Sequence, residues 1–195
     1  QLPDGRLQKE YFRGTPEYEQ ARSAGELAFL PPLTRGVATP ATINAVERLV
    51  GEPVPPLLRR LYEEVANGGF GPGYGILGLG DGDELAGGGT APELFASRSE
   101  WWPPSAPTSL VALCDWGCAV QSFVDWSDPT GPIWGLDPNP VGTEHALHRQ
   151  EMNLTEWWSL WLDGRLYQPW TVQDLDTGDW RCATNDEVEA ALAQT

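Results

Sequence analysis

The apolar positions of the chain change period along its length. From Thr39-Pro40 onward, Ile43, Val46, Leu49 and Val50 form one stripe at helical spacing and Gly51 supplies a stop, which predicts a helix. Pro55-Pro56 opens a second, where Leu57, Leu58, Leu61, Tyr62 and Val65 recur three and four residues apart. Asn67-Gly68-Gly69 ends it with residues that tolerate positive φ. The period then shortens. Gly75-Ile76-Leu77-Gly78-Leu79, Leu110 to Leu113, Val120 to Trp126 and Pro132 to Leu136 read as strands, with Asp115-Trp116-Gly117 as a hairpin connection.

Helical spacing returns at Leu154, Trp157, Trp158, Trp161 and Leu162, closed by Gly164. Thr184-x-x-Glu187 ahead of Val188 and Leu192 is a capping box that opens a terminal helix. Helices, then antiparallel strands, then helices describe a single α+β domain, an antiparallel sheet of about four or more strands with helices packed around it. Residues 1–38 read as an extension: a short helix from Thr15-Pro16 to Gly25, then the proline-broken connector Phe29-Leu30-Pro31-Pro32-Leu33, packed on the same core. Residues 39–195 are the domain proper.

Composition narrows the function. Twelve Lys+Arg face 28 Asp+Glu, a formal charge of −16, which argues against a nucleic-acid binder that must neutralise phosphates. The acidity is concentrated towards the C-terminus: residues 101–195 hold three cations and fourteen anions, net −11. No apolar run approaches the ~20 residues of a membrane-spanning helix. Three cysteines are an odd number and too few for a disulfide framework, which predicts a reducing, cytoplasmic setting.

Motifs that carry chemistry are weak. His145-x-x-His148, flanked by Glu144 and Glu151, has a spacing zinc uses on a helix, but the segment lacks an amphipathic pattern and reads as an exposed polar helix or loop. Cys114-x3-Cys118 is not a knuckle spacing, and Cys182 lies far away, so strand cysteines read as small buried hydrophobes. The glycine-rich run 67–75 follows a helix and precedes a strand with no lysine, the reverse of a phosphate loop. Asp81-Gly82-Asp83-Glu84 lacks the later ligands of a calcium loop and reads as a solvated acidic turn. Catalytic set, metal and cofactor are all expected to be none. Among ten tryptophans, Trp157, Trp158 and Trp161 belong to a core stripe, whereas Trp101, Trp102 and Trp116 sit in loop-like contexts suited to anchoring a partner.

The stretch ATINAVERLVGEPVPPLLRRLYEEVANGGFGPGYGILGL resembles the SUKH superfamily, which includes the Smi/Knr-type yeast cell-wall synthesis regulator and many bacterial immunity proteins. A helix carrying Glu47, a break, a helix led by Pro55 and the turn Asn67, Gly68 and Gly69 carry the likeness; Val54 stands where that family more often has Leu. The later LVALCDWGCAVQSFVDWSDPTGPIWGLDPN is similar to its central strands, and LTEWWSLWLDG to its closing helix. The resemblance covers about residues 29–164 and implies an α+β fold and a non-enzymatic inhibitor that binds a toxin, often a nuclease or deaminase.

Charge agrees with that implication, because a negative surface speeds capture of a basic partner by about 10- to 1000-fold. The expected function is therefore a protein-binding immunity protein, not an enzyme, that neutralises a cognate toxin without contacting nucleic acid or membrane. The expected contacts are Asp81, Asp83, Glu84, Asp115, Trp116, Asp125, Asp128 and Asp137, at turns beside strand ends. Two other readings stand: a regulatory interaction module without a toxin, and a carbohydrate-active enzyme using tryptophan platforms and two carboxylates.

Overall fold

The computed structural model describes residues 20, 36–82, 84, 88–98, 102–103, 106–142 and 145–193. The chain divides into two compact units, Gln1–Leu33 and Thr34–Thr195. The helix expected after Thr15-Pro16 and the connector 29–33 lie outside the described residues. Everything below concerns the second unit. Residues 36–38, read from sequence as part of the extension, belong to it: the Ala38 N–H donates to the Tyr62 carbonyl and the Asn67 N–H to the Gly36 carbonyl.

Two proline-led helices come first. In α1 (Pro40–Val50), Thr39 caps the start by accepting from the Thr42 N–H, and Gly51 at φ 85° ends it. Ile43 and Val46 enter the core, but Leu49 is 48% exposed, contrary to the expected stripe. The cause is geometric. Each three-residue step falls short of a full turn, so Leu49 stands about 120° round from Ile43, while the half-buried Val50 returns to its line. Helix α2 (Pro56–Glu64) buries Leu58 and Tyr62. Val65, expected on that stripe, is its C-cap and is 56% exposed.

The segment 75–79 is not a strand. Its one ladder contact is the bridge between Ile76 and Cys114, and its backbone groups are satisfied by a mixture of the Gly69-Phe70 loop, strand residue Leu113 and the helix start at Ala91. Ile76 exchanges hydrogen bonds with Gly69 and Phe70, Leu77 N–H donates to Leu113, and the Gly78 carbonyl accepts from Ala91. With Ile76, Leu77 and Leu79 all buried, the segment is an apolar thread through the core and has no solvent face to alternate with. Asn67 holds its end. Its side-chain amide donates to the Leu79 carbonyl and its side-chain oxygen accepts from the Leu79 N–H, both at 2.8 Å. Only Gly68 and Gly69 adopt positive φ there, so Asn67 acts through its side chain, not by backbone tolerance.

Helix α3 (Ala91–Ser97), which sequence periodicity missed, starts at the Thr90/Glu93 capping box and packs on α1 and β1. Strands β1 (Leu110–Gly117), β2 (Val120–Asp125), β3 (Pro132–Leu136) and β4 (Leu147–Asn153) form an antiparallel meander in the order β1-β2-β3-β4. Two irregularities in β1 carry it through Asp115, Trp116 and Gly117, so the predicted hairpin connection lies within the strand. The turn itself is Cys118-Ala119, with φ 51° and 64°. Two-residue hairpins need such angles to match strand twist, and here non-glycine residues adopt them. Strand β4 replaces the expected polar helix or loop around His148.

Helix α4 (Leu154–Leu162) begins at Asn153, which accepts from the Thr155 and Glu156 N–H groups, and packs against β3, β4 and α2. Trp157 and Trp158 are buried, and Trp161 stacks edge-on against Trp158 at 5.2 Å. A small hairpin, β5 (Thr171–Gln173) with β6 (Trp180–Cys182), lies against β4, and α5 (Asn185–Leu192) follows with the capping box expected of it. The result is the α+β domain with a four-stranded antiparallel sheet. No helix among the described residues is long and apolar enough to cross a membrane.

Candidate protein-binding surface

The sheet divides the expected contact residues into separate places. Asp115 and Trp116 lie at the end where β1 turns into β2, and Asp137 follows β3 at that same end. Asp125 and Asp128 lie at the opposite end. The length of β2 separates the two groups by about 17 Å. Asp81 and Glu84 are exposed beyond the Asn67 junction, and Asp83 lies outside the described residues.

Much of this acidity is occupied locally. Asp125 accepts from the Ser109 hydroxyl at 2.6 Å and from the Ser127 N–H and hydroxyl. Asp128 accepts from the Thr130 N–H and hydroxyl, and these bonds hold its carboxyl below the usual carboxylate range. Asp115 accepts from the Gly117 N–H, and Trp116 donates its indole N–H to the Ser122 hydroxyl across the hairpin. Both are half-buried, so Trp116 is part of the strand and not a free loop anchor.

Asp137 departs furthest from expectation. It is 9% exposed, accepts from the Thr171 N–H on one oxygen and from the Asn139 N–H and side-chain amide on the other, and so ties β3 to the β5–β6 hairpin. Its neighbourhood makes it a strut. The remaining motif residues are also structural: Glu47 joins α1 to α2 by accepting from the Val54 N–H and Arg59, and Pro55 is the N-cap of α2.

The arginines explain why a negative field persists. Arg59 pairs with Glu47 and Glu63, Arg60 with Glu64, Arg165 with Glu189 and Asp186, and Arg181 with Glu187 and Asp174. Arg98 donates to the Leu110 and Thr108 carbonyls and lies 3.7 Å over the Phe95 ring. These cations are consumed inside helices and between neighbouring elements. Among the described residues no ion pair reaches Asp81, Asp115, Asp125, Asp128 or Asp137.

Other chemistry is sparse. His148 bonds the His145 carbonyl at 2.6 Å, and burial lowers its pKa. Cys114 and Cys182 are buried free thiols, Cys182 pushed up to about 12 by burial, so neither is a ready nucleophile. Cys118 is exposed at the hairpin turn. Among the described residues no three His, Cys, Asp or Glu side chains converge as a metal site.

Sequence reading missed one cluster altogether. Strand β4 and the start of α4 bring Arg149, Gln150, Glu151 and Glu156 beside Thr130, next to the Asp128 turn, around an open depression of about 450 Å3. The Asn153-x-x-Glu156 capping box was a usable signal for that corner, since Asn153 and Glu156 reciprocally satisfy each other's backbone donors. No protein-family model matches the chain, and no curated protein matches it either.

Proposed function

We propose that this chain is a protein-binding immunity protein of SUKH type that neutralises a basic, nucleic-acid-targeting toxin by covering its active surface. The observation that supports this most is the division of charge. Five arginines are spent on internal pairs and carbonyls, while Asp115 and Asp137 at one end of the meander and Asp125 and Asp128 at the other form no ion pair among the described residues, Arg149 acting on Asp128 only through its field. Such a surface attracts a cationic macromolecule and fixes its orientation. The proline-led helix pair and Asn67 turn support the family assignment, because each motif residue has a definite structural task.

The test is co-expression with the product of the adjacent gene. Growth rescue, a complex whose association slows steeply with salt, and loss of rescue when Asp81, Asp125 and Asp128 become Asn are the expected results. A toxin neutralised equally well by that triple variant, with salt-independent association, would overturn the reading.

A further inference from the structure

The register of β4 against β3 contains a wider irregularity than the two in β1. Trp134 pairs with Arg149 and Pro132 with Asn153, so Ile133 alone on β3 faces Gln150, Glu151 and Met152 on β4. The three residues opposite Ile133 all line the depression of about 450 Å3 beside the Asp128 turn. Gln150 lines it. The residue is 6% exposed, and its side-chain carbonyl oxygen is buried without a hydrogen-bond partner. A buried acceptor left unpaired is costly, and of the buried unpaired side-chain atoms among the described residues it alone belongs to a residue lining this depression.

The surrounding charges indicate what would satisfy it. Glu151 is exposed and Glu156 spends one oxygen on the Asn153 N–H; neither forms an ion pair among the described residues. Arg149 on the same rim is balanced by Asp128, whose carboxyl it stabilises electrostatically. The depression therefore combines two unneutralised carboxylates at its rim with an unpaired acceptor buried in its wall, on a residue that lines it, while Met152 and Pro132 add apolar wall. A group with several N–H donors, a positive charge and an aliphatic stem fits this set, and a guanidinium meets it better than an ammonium because its donors lie in a fixed planar fork. The terminal torsion of glutamine is soft, so its amide can turn to face an incoming donor.

We infer that this depression receives an arginine side chain of a protein partner. The inference rests on the partner being basic, as proposed above, and adds where one of its side chains enters.

The test uses the full chain, labelled with 15N, and Nα-acetyl-arginine amide as the probe, with the neutral citrulline analogue as control. Saturable shifts of the Gln150 side-chain amide and of the Glu151 and Thr130 backbone amides are expected with the arginine probe alone. Glu151→Lys should weaken that binding about tenfold, and Gln150→Met should weaken it while the thermal midpoint rises or holds. Equal shifts with citrulline, no saturable shift, or unchanged binding in Glu151→Lys would overturn the inference and leave an ordinary hydrated depression. The two proposals separate cleanly. Probe binding with failed rescue upholds the site and sinks the immunity reading, whereas rescue that survives Glu151→Lys with a silent probe does the reverse.

Discussion

The Asn67 junction and the β4 bulge both place a carboxamide in the protein interior, and they treat it in opposite ways. Asn67 is 4% exposed and matches both of its polar atoms to the backbone of Leu79. Gln150 is almost as buried, yet its oxygen is unmatched. The first arrangement takes the place of a strand pairing that glycine-rich residues 75–79 cannot make. The second leaves recognition capacity unspent beside a charged rim. Burial of a polar group therefore marks stability in one place and binding in the other, and the hydrogen-bond accounting is what tells them apart.

Matched apolar substitutions break or confirm this contrast. Asn67→Leu strands the Leu79 N–H and carbonyl in the core and should cost about 3 kcal/mol, read as a lowered denaturant midpoint at constant slope. A loss below about 1 kcal/mol would mean the junction is held by something else. Next in size is Gly71→Ala. Gly71 lies at φ 102°, and an added Cβ would come 2.7 Å from the Trp158 ring, so a loss of about 2 kcal/mol is expected from the same unfolding curve.

Gln150→Met should move the other way, gaining up to about 1 kcal/mol because an unpaired buried oxygen is removed at similar volume. Destabilisation there would show that Gln150 already has a structural partner.

These sites also show why only part of the molecule is readable from sequence. The proline-led helices, the Gly51 stop and the Thr184 cap are specified by neighbours within four residues, and the pattern places them correctly. Strand β4, Leu-His-Arg-Gln-Glu-Met-Asn, shows no alternation, because its geometry comes from pairing with β3 across a bulge and from packing against β6. The thread 75–79 misleads for the converse reason: its composition is strand-like, but β1 reaches it at a single bridge. The candidate surface was legible only as charge. Which carboxylates are struts, such as Asp137, and which are free depends on partners as distant in sequence as Thr171.

The smallest expected effect concerns acid and extends the contrast to charged groups that are fully paired. Arg181 and the Thr184 N–H hold the Glu187 carboxyl down to about 2 from an ordinary value of 4.5. A depressed pKa contributes stability that is complete above the unfolded value and is lost as pH falls from 4.5 towards 2. Since Glu187 is nearly half exposed, solvent screening reduces this to roughly a few tenths of a kcal/mol. Glu187→Gln should flatten that part of the stability–pH curve and leave the neutral plateau little changed. An undiminished slope between those values would assign it to other carboxylates.

The meander carries a kinetic consequence as well. Because strands β1 to β4 neighbour one another in space in the order the ribosome makes them, every sheet contact closes a short loop. The sheet can zip one hairpin at a time, with α3 and α4 docking onto it from either side of the sequence. A chain built this way spends little time with an open edge strand in reach of its neighbours, an asset for any molecule that must be ready as soon as it is made.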